Sequence, residues 1–164
     1  CRAMLAFPSD RQLQLRGIQA IANLSFMHQA NQARLAEAGA AKLVCSVLEQ
    51  HEDDKDLHCE GARAMDSLAW SCQANQERLG QAGACRLVAH TLESFGRNKV
   101  ATLQACRATA SLATNHGRNQ DALAKAGTCR LLVEALVRFA GDRSLICECC
   151  DALVALLYHV AANQ

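Results

Sequence analysis

Apolar positions along the chain fall in stripes of helical spacing, and the stripes recur. Leu43, Val44, Val47 and Leu48 make an i, i+1, i+4, i+5 pattern, which predicts an amphipathic helix from Ala40 to about Gln50. Leu57, Gly61, Ala64, Met65 and Leu68 keep the same geometry and predict a longer helix from Asp56 to about Cys72, after a polar linker at 51–55. Ahead of both, Asn31 suits an N-cap. Residues 32–38 then give a short helix with Leu35 and Ala38 turned inward. Gly39 closes it, because glycine takes positive φ at little cost. The order short, medium, long returns twice more, with linkers near Phe95-Gly96-Arg97-Asn98 and Ala140-Gly141-Asp142-Arg143.

The recurrence has a fixed step. Asn-Gln stands at 31–32, 75–76, 119–120 and 163–164, each copy 44 residues after the last. Ala38-Gly39-Ala40, Ala82-Gly83-Ala84 and Ala126-Gly127-Thr128 keep the same phase, as do Leu48, Leu92 and Leu136. A helical pattern at this period predicts an all-α solenoid, stabilised by stacking of neighbouring units. The expected organisation is one array over 1–164. Residues 1–30 are the C-terminal part of a repeat, 31–74, 75–118 and 119–162 are full repeats, and 163–164 begin the next. Residues 1–6 read as the last turn of a second helix, with Pro8 in the linker and a third helix over about Asp10–Met27. Neither end has the polar look of a capping repeat. The expectation is a piece of a longer array, with apolar ends open to self-association.

Composition narrows function by exclusion. The chain is 51% hydrophobic and 20% charged, with one proline and 4% aromatics, a helix-forming mixture. A net charge of +1 offers no general attraction for nucleic acid or an anionic membrane. No apolar run approaches the length of a membrane span, and no signal peptide opens the chain. The expected compartment is intracellular, cytoplasmic or nuclear. Ten cysteines invite a disulfide reading, but Cys59 shares a repeat position with Leu15, Leu103 and Cys147, and Cys106 with Ile18, Ala62 and Cys150. Exchange with small apolar residues predicts buried, reduced thiols. His28, Cys72 and His116 are equivalent positions, about 10 Å apart in stacked repeats and too far for shared metal coordination. With no phosphate loop or hydrolase motif, a non-catalytic chain without cofactor or metal is expected.

Three helices per unit, with glycine between the first two, resemble the armadillo repeat. That family's pattern appears here as Asn31…Leu35…Gly39-Ala40…Leu43-Val44…Leu48, and as Ala20-Ile21-Ala22-Asn23-Leu24. HEAT repeats, the neighbouring class, have two helices per unit and usually lack the glycine. The armadillo resemblance implies right-handed stacking, with third helices lining a concave groove that holds an extended peptide. It also implies an asparagine near the end of each third helix, gripping peptide backbone, and a tryptophan one turn earlier.

Here the asparagine position reads Asn23, Ser67, Ser111 and Ala155, and the tryptophan position reads Gln19, Arg63, Arg107 and Asp151. One turn further on stand Phe26, Trp70, Thr114 and Tyr158, and the preceding turn carries Arg16, Glu60, Gln104 and Glu148. The candidate site is this face, with Arg63 and Arg107 suited to acidic groups of a peptide and Trp70 to an apolar platform. Each residue also has a plainer role. The arginines could be solvated, Trp70 could pack on the next repeat, and Asn23 could bond the neighbouring third helix. The expected function is a protein-interaction scaffold binding a protein segment or extended peptide. The alternatives are a regulatory or structural arm that stacks on neighbouring domains or a second copy and, disfavoured by charge, an RNA-binding solenoid.

Overall fold

A computed structural model describes residues 1–158. Among these, eleven α-helices and no strands are found. A fragment, α1 (Arg2–Ala6), precedes a 15-residue helix, α2 (Arg11–Ser25). Three triplets of short, medium and 15-residue helices follow. They are α3 (Gln29–Glu37), α4 (Ala40–Gln50) and α5 (Lys55–Ala69); α6 (Gln73–Gln81), α7 (Ala84–Phe95) and α8 (Lys99–Ala113); α9 (Gly117–Lys125), α10 (Thr128–Arg138) and α11 (Arg143–Leu157). The long helices α2, α5, α8 and α11 lie side by side in that order; α5, α8 and α11 each pack on the medium helix of their own triplet, and α2 on the fragment α1. No described helix is long and apolar enough to cross a membrane.

Medium helices bury the stripe that defined them. Leu43, Val44, Val47 and Leu48 are all buried, as are Leu57, Gly61, Ala64, Met65 and Leu68 on α5. Packing is tight enough that a Cβ added at Gly61 would lie 2.6 Å from Leu48 Cδ1. Gly39, Gly83 and Gly127 turn the chain at φ of 77°, 89° and 79°, the left-handed region expected of them.

Repeated polar residues close the ends of the helices. Asp10, Asp54, Asn98 and Asp142 cap the four long helices, each side chain accepting from backbone N–H groups of the first turn. Arg11 pairs with Asp54, and Lys99 with Asp142, so the first residue of one long helix holds the cap of the next. These pairs keep both carboxyls below the usual carboxylate range. Gln14 reaches back from α2, its amide donating to the carbonyls of Met4 (2.8 Å) and Phe7 (2.9 Å). Thr102 does the equivalent on α8, donating to Gly96 O.

The Asn-Gln signature has a different role from the expected N-cap. The short helices begin three residues earlier than expected, at Gln29, Gln73 and Gly117, with His28, Cys72 and His116 at their caps. His28 and His116 accept from the backbone N–H groups of Asn31 and Asn119. A unit boundary at Asn31 therefore cuts a helix. Leu35 is only partly buried and Ala38 is exposed, while Gln32 and Ala36 face inward. The Gln32 amide donates to Ser67 O (2.8 Å) and Trp70 O (3.0 Å), at the C-terminus of the following long helix. Gln76 repeats this with Ser111 O and Thr114 O, and Gln120 with Ala155 O. Asn75 and Asn119 each donate to the carbonyl of the preceding unit's glutamine and to the preceding unit's long helix, at Leu68 O and Leu112 O. The repeat signature is thus a ladder of stitches, the glutamines joining short and long helices of one unit and the asparagines joining one unit to the next. The last expected copy, Asn163-Gln164, and the end of the 119–162 unit lie outside the described residues.

All ten cysteines are free, and Cys45, Cys85, Cys106 and Cys149 are buried. Burial pushes the Cys45 thiol up to about 12 and that of Cys85 to about 11. Cys106 Sγ lies 3.4 Å from Cys149 Sγ across the α8–α11 interface. Cys150, the repeat equivalent of Cys106, is exposed.

Candidate interaction groove

The outer face of the long helices carries the candidate residues, and helix geometry explains how the aromatic row stands out. Phe26, Trp70 and Thr114 are C-caps whose N–H groups still donate to Ala22 O, Asp66 O and Ala110 O, while their ψ values of 116°, 117° and 115° leave the helix. The next residues, Met27, Ser71 and Asn115, take φ of 51°, 51° and 57°. This abrupt exit lifts the preceding side chain off the surface. Phe26 is 62% exposed and Trp70 56%; Tyr158, whose own ψ of −30° is helical, is 71% exposed. Packing of Trp70 against the next unit is therefore not its main role.

The charged residues are mostly committed to one another. Between α2 and α5, Arg16 donates to Gln19, whose amide donates to Glu60 (3.2 Å). Arg63 donates through Nε to Glu60 (2.7 Å) and through Nη1 to Asn23 (2.7 Å). Asn23 thus bonds the neighbouring long helix. Between α8 and α11, Arg107 donates through both Nε (2.8 Å) and Nη2 (2.6 Å) to one oxygen of Glu148. That carboxylate raises the guanidinium's affinity for its proton. The expectation of two arginines free for acidic peptide groups needs correction, since each already has a carboxylate partner.

Two further residues are placed differently from expectation. Ser67 is buried, and its carbonyl accepts from Gln32, so it belongs to the stitching ladder. Ser111 is buried and donates through its hydroxyl to Asp66. Asp66 is a groove residue missed in the sequence. Burial raises its carboxyl above the ordinary value, opposed by the Ser111 hydrogen bond and by Arg107. A signal was present: the same repeat position is Ala22, Ala110 and Val154 elsewhere, so Asp66 is a charge on an apolar row.

These residues surround a groove of about 860 Å³ across α5, α8 and α11. Phe26, Ser67, Trp70, Arg107, Ser111, Glu148, Asp151 and Tyr158 line it, with Met27, Asp66, Val154 and Ala155 completing the wall. Arg16, Gln19, Asn23, Glu60 and Arg63 form the separate α2–α5 network beside it. Gln104 is half-buried on α8 and lines none of this groove. No three described His, Cys, Asp or Glu residues come together in a metal-binding arrangement.

No family model matches the chain, and no curated protein matches it. Solved structures do. Two engineered proteins, crystallised as targets of the Northeast Structural Genomics Consortium, superpose with TM-scores of 0.79. One is 21% identical, and the match covers 90% of this chain and 57% of that protein. The other is 22% identical, with 90% and 34% covered. This chain therefore spans less than two thirds of either. At that identity the likeness shows the fold alone, an all-helical, repeat-like architecture.

Proposed function

We propose that this chain is a right-handed armadillo-type solenoid of period 44, acting without catalysis as a scaffold that holds an extended protein segment along its long helices. Four helix starts, Arg11, Lys55, Lys99 and Arg143, stand 44 residues apart, and each complete triplet has a left-handed glycine between its first two helices. These support the family reading. The observation that carries the binding reading is the exposed row of Phe26, Trp70 and Tyr158 beside a groove of about 860 Å³. Large aromatics are favoured anchors at interfaces.

Selection of a random 12-residue peptide library against the protein tests this. The chain has a single tryptophan, so bound peptides should change Trp70 fluorescence. They should also slow amide exchange at the ends of α5 and α8. Protection confined to the opposite face, on α4, α7 and α10, would remove the groove from consideration. A second reading, an arm packing on a neighbouring domain or a second copy, is favoured by exposed Val133, Val137, Val154 and Leu157 on α10 and α11. Concentration-dependent association abolished by Val137→Asp would support it.

A further inference from the structure

We propose that the segment held by this groove is basic, with lysine or arginine side chains seated at Asp66 and Asp151 and an apolar side chain between them on Trp70 and Val154. This rests on the groove reading above and adds the partner's chemistry to it.

The argument begins with charge. Three carboxylates, Asp66, Glu148 and Asp151, face one guanidinium, Arg107, around the cavity, leaving a net charge of −2. Arg107 and Glu148 neutralise each other at 2.6 Å. The carboxylates outside that pair are Asp66 and Asp151. Among the described residues, the Asp66 carboxylate accepts only the Ser111 hydroxyl and has no ion pair within 4.0 Å, with Arg107 acting on it only from a distance. Asp151 is exposed and has no hydrogen-bond or ion-pair partner among the described residues.

Other groups push the same way. The C-termini of α5 and α8 end at Trp70 and Thr114 on the groove wall, bringing the negative ends of two helix dipoles to it. The exposed ring of Trp70 offers its negative face to a cation. Half-enclosed apolar walls focus the field of the carboxylates. An acidic segment would meet repulsion at every one of these groups.

Geometry sets the spacing. Asp66 leans from α5 toward Ser111 on α8, and Asp151 projects from α11. Ser111 stands one packed helix, about 10 Å, from α11, so the two carboxylates are roughly 10–15 Å apart. An extended chain covers that in about three or four residues. The recognised pattern is two basic residues about three or four positions apart, with an apolar residue between.

Composition of the peptides selected from the random 12-residue library provides the test. The expected set is enriched in Lys and Arg at that spacing. One enriched peptide should bind the Asp66→Asn/Asp151→Asn variant at least tenfold more weakly, and its affinity should fall as salt is raised. Trp70→Ala should weaken it without changing the salt slope. Asparagine still accepts from Ser111, so the melting temperature should be retained, and a circular dichroism melt checks this. Enriched peptides that are neutral or acidic, or that bind the double variant unchanged, overturn the basic assignment and leave the groove intact. Failure to enrich any peptide, with a dimer seen by sedimentation, overturns both and assigns the groove to a second copy.

Discussion

His58 should make the fold acid-labile, and the size of the effect can be worked out. It sits on α5, fully buried, with Nδ1 hydrogen-bonded to Thr91 Oγ1 at 2.9 Å. Its ring centroid lies 5.0 Å from that of His90 and 5.3 Å from that of Phe95. Burial, helped by His90, lowers its pKa from an ordinary 6.5 to about 4. Between those values the unfolded chain binds a proton that the folded chain refuses. Stability therefore falls as pH drops through this window and levels off below it. At about 1.4 kcal/mol per tenfold change in proton affinity, the full loss is about 3 kcal/mol. About 2 kcal/mol of that is lost by pH 5. A repeat-equivalent residue supplies the control. Gln14 occupies this position on α2 and donates to two carbonyls at the end of its medium helix. His58→Gln should thus fold and carry no such proton. Urea unfolding followed by circular dichroism at pH 7, 6, 5 and 4 should show wild type losing stability and the variant losing about 3 kcal/mol less by pH 4. Parallel curves for the two proteins would refute the reasoning. Losses below pH 4 belong to both proteins. The lowered carboxyls of Asp54 and Asp142 contribute stability above the ordinary carboxylate range and lose it as they protonate.

Two further outcomes follow from the backbone and the stitching ladder. Gly83→Val should cost about 1–2 kcal/mol through its φ of 89° alone, because an added Cβ would meet nothing nearer than Glu49 Oε1 at 3.7 Å; an unchanged thermal melt would contradict this. Gln76→Leu removes the donor from Ser111 O and Thr114 O and should cost about 2 kcal/mol or more in urea unfolding, whereas a loss below about 0.5 kcal/mol would mean those carbonyls find water instead.

Helix stripes were legible because apolar burial imposes its period directly on sequence. The medium helix predicted at Ala40–Gln50 has those bounds in the structure, and Gly39 takes the predicted conformation. The start of the short helix was not legible from Asn31. A good capping residue type also makes a good buried donor, and only packing decides which role it takes. Asn31 lies inside α3 and donates to Leu24 O. The long-helix caps stand in the sequence as Asp10, Asp54, Asn98 and Asp142 at one repeat position, but they lie inside polar linkers, where a capping residue and a solvated one are the same residue type. At the groove, the aromatic row was visible and its exposure followed from its place at helix C-termini. The charge of the groove was not, because it depends on which side chain reaches each arginine: Glu60 of the same helix for Arg63, and Glu148 of the next unit for Arg107.

That difference has a physical origin in how a repeat array is built. Every copy must satisfy the same carbonyls with the same donors, both within a unit and at its junction with the next, so these residues stay uniform from copy to copy. Gln32, Gln76 and Gln120 donate to equivalent helix ends, and the glycines turn in one conformation. Rows on the outer face satisfy no repeated carbonyl, and their side chains pair across units in a different way at each step, so they are free to vary. The row Gln19, Arg63, Arg107 and Asp151 changes charge along the array, and the row Ala22, Asp66, Ala110 and Val154 acquires one carboxylate. Uniform rows therefore describe the scaffold, and divergent rows describe what the scaffold presents. Divergence alone does not give the sign of the surface. Arg63 and Arg107 read as an acidic-ligand site until Glu60 and Glu148 are seen against them. Once those pairs are set aside, what remains is Asp66 and Asp151 beside exposed aromatic rings, and that is why the partner we propose is a base and not an acid.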